Sequence, residues 1–328
     1  MRGGAVKEQI VRRAGRGRGR LARIALLAAG AAVAATALSA CSIGASAAGS
    51  DPGGKIVAVG AENEYADVLS QIGGTYVHVS SILDNPNTDP HTFEASPSVA
   101  KVVSAAQVVV QNGVGYDTYM TNIESASPSS TRKVIEVQKL LGLPDSTPNP
   151  HLWYKPTTMP AVAKALAADF SAIQPAHAAY FHANATRFDN SLKPWYAALA
   201  AFAARYPKAP VATTEPVGDY MLAAAGADNL TPFSFQADIM NGVDPAPQAV
   251  SLENSLFSEH RVKVFLYNQQ VTSSLTVTFL AAAKKYGIPV VGVYETMPTP
   301  DYDYQSWMLA EVTALQKAVA HKVSTQKL

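Results

Sequence analysis

The sequence predicts an α/β protein of two lobes, each built on a parallel sheet, with a long helical segment between them. Three observations predict it. Short β-branched runs recur at 56–59, 77–83, 107–111 and 133–137, and a second set follows at 210–214, 262–267 and 289–294. Longer stretches of helical character separate the runs, the alternation that builds βαβ units and parallel sheets. Between the two sets, residues 157–206 carry no strand signal at all.

Taken in order, the chain opens on a basic segment. Its first 23 residues hold eight Lys or Arg against the single acid Glu8, and an uncharged Ala- and Leu-rich run follows over 24–40. A basic start, a short apolar run and small residues before a cut site describe a secretory signal. Seventeen residues, many of them Ala, are short for a hydrocarbon core of roughly 30 Å. The run ends Leu38-Ser39-Ala40-Cys41, which resembles the bacterial lipobox. That resemblance implies cleavage of 1–40 and a lipid on Cys41, so the protein is expected outside the cytoplasm, anchored to a membrane without spanning it. Cys41 is the only cysteine, so no disulfide framework is available.

Residues 41–54, rich in Ser, Gly and Ala, read as a flexible tether. The first lobe is expected over 55–157, the helical segment over 158–206 and the second lobe over 207–328. Within the middle segment, 161–173 reads as one helix, and Pro175 suits a first helical position. A second helix runs from there to Tyr206, about 32 residues or roughly 48 Å if straight. Pro194 falls inside it and should kink or split it. Without 1–40 the chain has 18 basic and 24 acidic side chains, a net charge of −6. That argues against a nucleic-acid partner and is compatible with a cationic ligand.

Metal-type donors stand beside the predicted strands. His91 lies in Asn87-Thr88-Asp89-Pro90-His91-Thr92-Phe93-Glu94, just after the 77–83 run, and His151 in Asn149-Pro150-His151-Leu152-Trp153, ahead of the first middle helix. Glu215 follows the 210–214 run, and Glu295 follows the 289–294 run. Open α/β sheets bind ligands outside the carboxyl ends of their strands. Two imidazoles and two carboxylates form a borderline donor set, suited to Zn²⁺ or Mn²⁺, and would neutralise a divalent ion. Singly, each residue has an ordinary reading. His91 could shape a turn, His151 pack on Trp153, Glu215 cap a helix, and Glu295 be a solvated acid. Their joint pattern raises the metal reading to stand level with these.

The stretch 89–94 with 100–113 resembles the Asp-Pro-His motif, following helix and Asn-Gly turn of zinc and manganese ABC-importer solute-binding proteins. Asn149–Trp153 resembles that family's Pro-His-x-Trp motif, 211–220 its third motif with Glu215 where many members have His, and 304–315 its closing helix. The resemblance covers residues 55–320. It implies two Rossmann-like α/β lobes joined by a long helix, with one divalent metal in the cleft. The implied ligands are His91, His151, Glu215 and Glu295, with Asp301 and Asp303 as fallbacks for the last. The implied partners are the permease and ATPase of a metal importer, and the protein is expected to act as a monomer at a Gram-positive cell surface. Lacking a His-rich loop and carrying Glu215, the chain leans toward Mn²⁺, with Zn²⁺ retained. A rigid strut would limit lobe closure, so small movements at Glu215 and Glu295 are expected to control release. Affinity should fall below about pH 6.5, where histidines protonate.

Two other functions compete with metal capture. A zinc hydrolase would use His91, His151 and one carboxylate with an open fourth position, but no His-Glu-x-x-His helix is present. An adhesin would not need converging ligands. The remaining histidines, His78, His177, His182, His260 and His321, carry no ligand pattern, and His177 and His182 are expected to be solvated. Trp195, Tyr196, Phe202, Tyr206 and Trp307 read as packing. Gly113 and Gly115 follow a strand without the Gly-rich loop a nucleotide needs.

Overall fold

Strand β1 (Ile56–Glu62) is buried along nearly its whole length, only Val57 being partly exposed. Such an uninterrupted buried run belongs in the middle of a parallel sheet with both faces covered. It pairs with β2 (Val77–Leu83) on one side, from Ile56 opposite Val77 to Glu62 opposite Leu83, and with β3 (Val108–Gln111) on the other. β4 (Lys133–Glu136) completes a four-stranded parallel sheet of order β2-β1-β3-β4. Gly60 is required here because a Cβ would lie 2.5 Å from the Ala66 backbone nitrogen, where helix Asn63–Gly73 folds back onto β1. The computed structural model describes residues 54–328 apart from Thr88. The predicted signal segment, Cys41 and nearly all of the 41–54 tether lie outside the described residues.

The second sheet repeats the plan. β5 (Pro210–Thr213), β6 (Asp228–Asn229), β7 (Val264–Asn268) and β8 (Val290–Val293) pair in parallel in the order β6-β5-β7-β8. The two α/β lobes therefore share one topology, and in each the carboxyl ends of the strands lie along one edge. β6 was not foreseen. Its two polar residues carry no apolar pattern, and it is recruited by pairing Pro210 with Asp228 and Val211 with Asn229.

Three helices make up most of the middle segment: Thr158–Ile173, Ala178–Ser191 and Lys193–Arg205. The 175–206 stretch divides at Leu192. Pro194 then occupies the first turn of the last helix, where its missing N–H leaves no bond unmade. These helices bury Phe170, Phe181, Trp195 and Phe202, and the carboxyl-terminal helix Tyr304–His321 adds Trp307 and Leu315 to the same apolar cluster. That cluster also contains Ile56 and Val108 of the first sheet and Val211 and Val264 of the second, so one core runs through both lobes. Separate clusters around Val109 and Met120, and around Phe257 and Phe265, cover the outer faces of the sheets. No helix among the described residues is long and apolar enough to cross a membrane.

Candidate metal centre

The loop leaving β2 carries His91 in a short 3₁₀ turn, Pro90–Thr92. Asp89 caps this turn. Its Oδ1 accepts from the His91 backbone nitrogen at 2.9 Å, and its carbonyl accepts from Thr92 Oγ1 at 2.9 Å. The His91 side chain, 25% exposed, is the one donor of the cluster open to solvent.

His151 is fully buried. Asn149 Oδ1 accepts from its backbone nitrogen at 3.0 Å and lies 2.8 Å from its Nδ1. An amide oxygen can only accept, so Nδ1 carries the proton and Nε2 is turned to the cleft. The ring is wedged between Trp153 and Tyr116, with centroids 5.4 and 6.0 Å away.

Glu295 enters from the loop after β8 and is also fully buried. Gln270 Oε1 accepts from the backbone nitrogens of Glu295 at 2.6 Å and Thr296 at 2.8 Å, fixing where the side chain departs. Glu295 Oε2 is the meeting point. His91 Nε2 stands 3.0 Å from it, His151 Nε2 3.3 Å, and the Tyr116 hydroxyl donates to it at 3.0 Å. Donor atoms of His91, His151 and Glu295 all lie within 4.8 Å of one another.

Glu215 is not part of that tight group. It is buried beside it, joined through Asn268, whose Nδ2 donates to Glu295 Oε1 at 2.6 Å and to Glu215 Oε1 at 3.2 Å. The second oxygen of Glu215 is buried and meets no hydrogen-bond donor among the described residues. A buried carboxylate oxygen without a donor is costly, and a cation is one way to satisfy it. The two fallback acids stand elsewhere. Asp301 is exposed, and Asp303 caps helix Tyr304–His321, its Oδ1 accepting from Ser306 N at 2.9 Å.

Electrostatics follow from this packing. Burial opposes the His91 cation, but the hydrogen bond and charge of Glu295, with Asp89 behind them, outweigh it and raise the His91 pKa. For His151, complete burial wins over the same carboxylate, and its pKa is lowered. Burial alone would raise Glu295, yet the two imidazoles hold its carboxyl far below the usual range. Glu215 is pushed well up, first by burial and then by the nearby charge of Glu295. The site thus favours the ionised form of Glu295 and the neutral form of Glu215.

Several of these residues carry no motif that sequence reading could find. Tyr116 is aimed into the site by a turn in which Gly113, Val114 and Gly115 all adopt positive φ (79°, 56° and 76°). Two glycines make that path accessible, and Asp117 ties it down by accepting from Asn112 N and Gly113 N. Asn268 and Gln270 are ordinary amides at a strand end. Glu62, the last residue of β1, and Glu64, in the first turn of helix Asn63–Gly73, are fully buried carboxyls, and burial raises both pKa values. Of the other histidines, His177 is less solvated than expected, its ring stacking on Tyr76 at 3.7 Å.

Comparison with known proteins follows the same lines. The family described as zinc-uptake complex component A, periplasmic (ZnuA), matches residues 59–318. The manganese-binding lipoprotein MntA of Bacillus subtilis (strain 168) is 27% identical over 169 residues, 50% of this chain and 55% of that one, so the chain spans about half the length of this curated relative. The structure of the SBP FpvC from Pseudomonas aeruginosa in complex with Mn²⁺ superposes with a TM-score of 0.66 at 20% identity, covering 82% of this chain and 99% of that one. The Mn-bound periplasmic metal binding protein from Candidatus Liberibacter asiaticus gives 0.66 at 18% identity, covering 81% and 100%. These structures share the fold, and the family match spans both sheets and the middle helices: the chain belongs to the ZnuA family of zinc-uptake solute-binding components.

Proposed function

We propose that this protein captures one divalent transition metal, Mn²⁺ or Zn²⁺, outside the cytoplasm and hands it to the permease of an ABC importer driven by its ATPase. The observation that carries the reading is the approach of His91 Nε2 and His151 Nε2 to one oxygen of Glu295, at 3.0 and 3.3 Å. Two imidazole nitrogens and a carboxylate oxygen, brought together from three loops, form a donor set for such ions. His91, His151 and Glu295 are the proposed inner ligands and Glu215 the fourth. In support of Glu215, its free oxygen is buried beside the group.

The chemistry is coordination without turnover. The family is one of transport receptors, and a hydrolytic centre would keep a coordination position for water that four protein ligands would fill. A lipid on Cys41 would hold the receptor, as a monomer, at the outer surface of the cell membrane near its permease. The B. subtilis relative, named a lipoprotein, supports this placement.

The test is elemental analysis of protein purified without chelator, followed by titration with Mn²⁺ and Zn²⁺ in competition. One bound ion per chain is expected, lost in His91→Ala. A His91→Ala variant that titrates like wild type would sink the site assignment. In cells, Cys41→Ser should move the protein from the membrane fraction to the soluble one.

A further inference from the structure

We propose that Asn268 sets the coordination number of the cation, and through it the choice between Zn²⁺ and Mn²⁺. By holding one oxygen of Glu215 and one of Glu295, it turns each carboxylate so that a single oxygen faces the cleft. This rests on the reading that both carboxylates face the metal.

The amide has no freedom to do otherwise. Asn268 is fully buried, and its backbone nitrogen donates to Thr214 Oγ1 at 3.0 Å. Its Oδ1 accepts from the Gln270 backbone nitrogen at 3.0 Å, which identifies that atom as the oxygen and the other as the nitrogen. Nδ2 has two hydrogens and two acceptors, Glu295 Oε1 at 2.6 Å and Glu215 Oε1 at 3.2 Å. Both hydrogens are used, and each falls on a different carboxylate.

What remains on the cleft side is one oxygen from each acid. Glu295 Oε2 faces both imidazoles, and Glu215 Oε2 is buried with no donor among the described residues. Two nitrogens and two single oxygens make four ligands, the number of a closed tetrahedral Zn²⁺ site. Mn²⁺ prefers octahedral, oxygen-rich surroundings. To reach six ligands from these side chains, both carboxylates would have to bind through both oxygens. That requires each carboxylate to turn until Oε1 also faces the ion, a rotation that the two bonds to the fixed Asn268 amide oppose. Of the four donors, only His91 opens to solvent, so water has one side from which to make up the number. Intrinsic affinity already favours Zn²⁺ over Mn²⁺, and Asn268 widens the gap.

Co²⁺ reports the geometry directly, because tetrahedral Co²⁺ absorbs visible light strongly and six-coordinate Co²⁺ weakly. The wild-type protein loaded with Co²⁺ should show the intense bands. In Asn268→Ala the bands should weaken, and the ratio of Zn²⁺ to Mn²⁺ affinity should fall roughly tenfold, the scale of a lost supporting contact. Weak bands in wild type, or an unmoved affinity ratio in folded Asn268→Ala, would overturn the proposal. Weak wild-type bands overturn it even if the variant does not fold. A wild-type protein that takes up none of Co²⁺, Zn²⁺ and Mn²⁺ removes the metal-capture reading itself. Weak bands on a well-bound ion remove only the role of Asn268.

Discussion

Asn149 grips His151 at both ends, accepting from its backbone nitrogen at 3.0 Å and from its ring Nδ1 at 2.8 Å. The same amide reaches the other lobe, where its Nδ2 donates to the Pro216 carbonyl at 2.7 Å, next to Glu215. One side chain therefore sets the tautomer of a proposed ligand and the position of the loop bearing another. Asn149→Ala should weaken metal binding roughly 10- to 100-fold, as loss of a ligand's supporting hydrogen bond does. Asn149→Asp keeps the acceptor for His151 but loses the donor to Pro216, and should weaken binding less than Asn149→Ala. Calorimetric titration of both variants checks this, and equal losses would refute the role of the Nδ1 bond.

Metal binding should release protons. Before binding, Glu295 raises the His91 pKa, and burial followed by the charge of Glu295 raises that of Glu215. Ligation needs both in their deprotonated forms. At about pH 6, close to the free histidine pKa, roughly two protons should leave per ion. Calorimetry in buffers of differing ionisation enthalpy counts them. Because the His91 pKa lies above 6.5, affinity should begin to fall at a higher pH than an unperturbed histidine would dictate. Glu215→Gln should lower the count by one.

The two acids should behave differently when neutralised. Burial favours the neutral form of Glu215 in the metal-free protein, so Glu215→Gln should leave metal-free stability nearly unchanged while weakening metal binding. Glu295 is ionised and takes Tyr116, His91 and His151 on one oxygen. Glu295→Gln leaves one acceptor oxygen where two serve, so either Asn268 or this trio loses its acceptor, and it should cost on the order of 1–3 kcal/mol of metal-free stability as well as metal binding. Urea unfolding in the presence of chelator separates the cases. Equal destabilisation by both substitutions would show that Glu215 is charged.

The donors were legible because they sit in patterns. Pro90-His91 and Pro150-His151 are short motifs in loops, and Glu295 is an acid just past an apolar run. Tyr116 and Asn268 had no such signal, since a lone tyrosine or asparagine at a strand end looks like any turn residue. Asn268 also fell just beyond the expected 262–267 strand, whereas the ladder carries on to pair it with Val293. The helix divides at Leu192 because Pro194 has no N–H to donate to the carbonyl four residues back, so the hydrogen-bond ladder breaks just ahead of it. β6 was invisible because Asp228 and Asn229 have no apolar pattern. Its two residues are held by backbone pairing to β5, a tertiary effect.

Stability of the metal-free protein should depend on pH through Glu311, away from the centre. Its Oε1 accepts from the Tyr154 hydroxyl at 3.1 Å and from Trp307 Nε1 at 3.1 Å, while Oε2 is buried without a partner among the described residues. Burial pushes its pKa up to about 8, against the lowering effect of those two bonds. In the unfolded chain it would titrate near 4.3. The folded state thus holds the proton that the unfolded state gives up, and stability falls as pH rises wherever that difference exists. The contribution is complete below the unfolded value and is lost as pH climbs through about 8. Glu311→Gln keeps an acceptor for Tyr154 and Trp307 and cannot ionise. Compared at pH 5 and pH 9 by urea unfolding in chelator, the variant should lose less stability than wild type, by on the order of a few kcal/mol. Identical pH profiles for the two proteins would mean that Glu311 is ionised in the folded state.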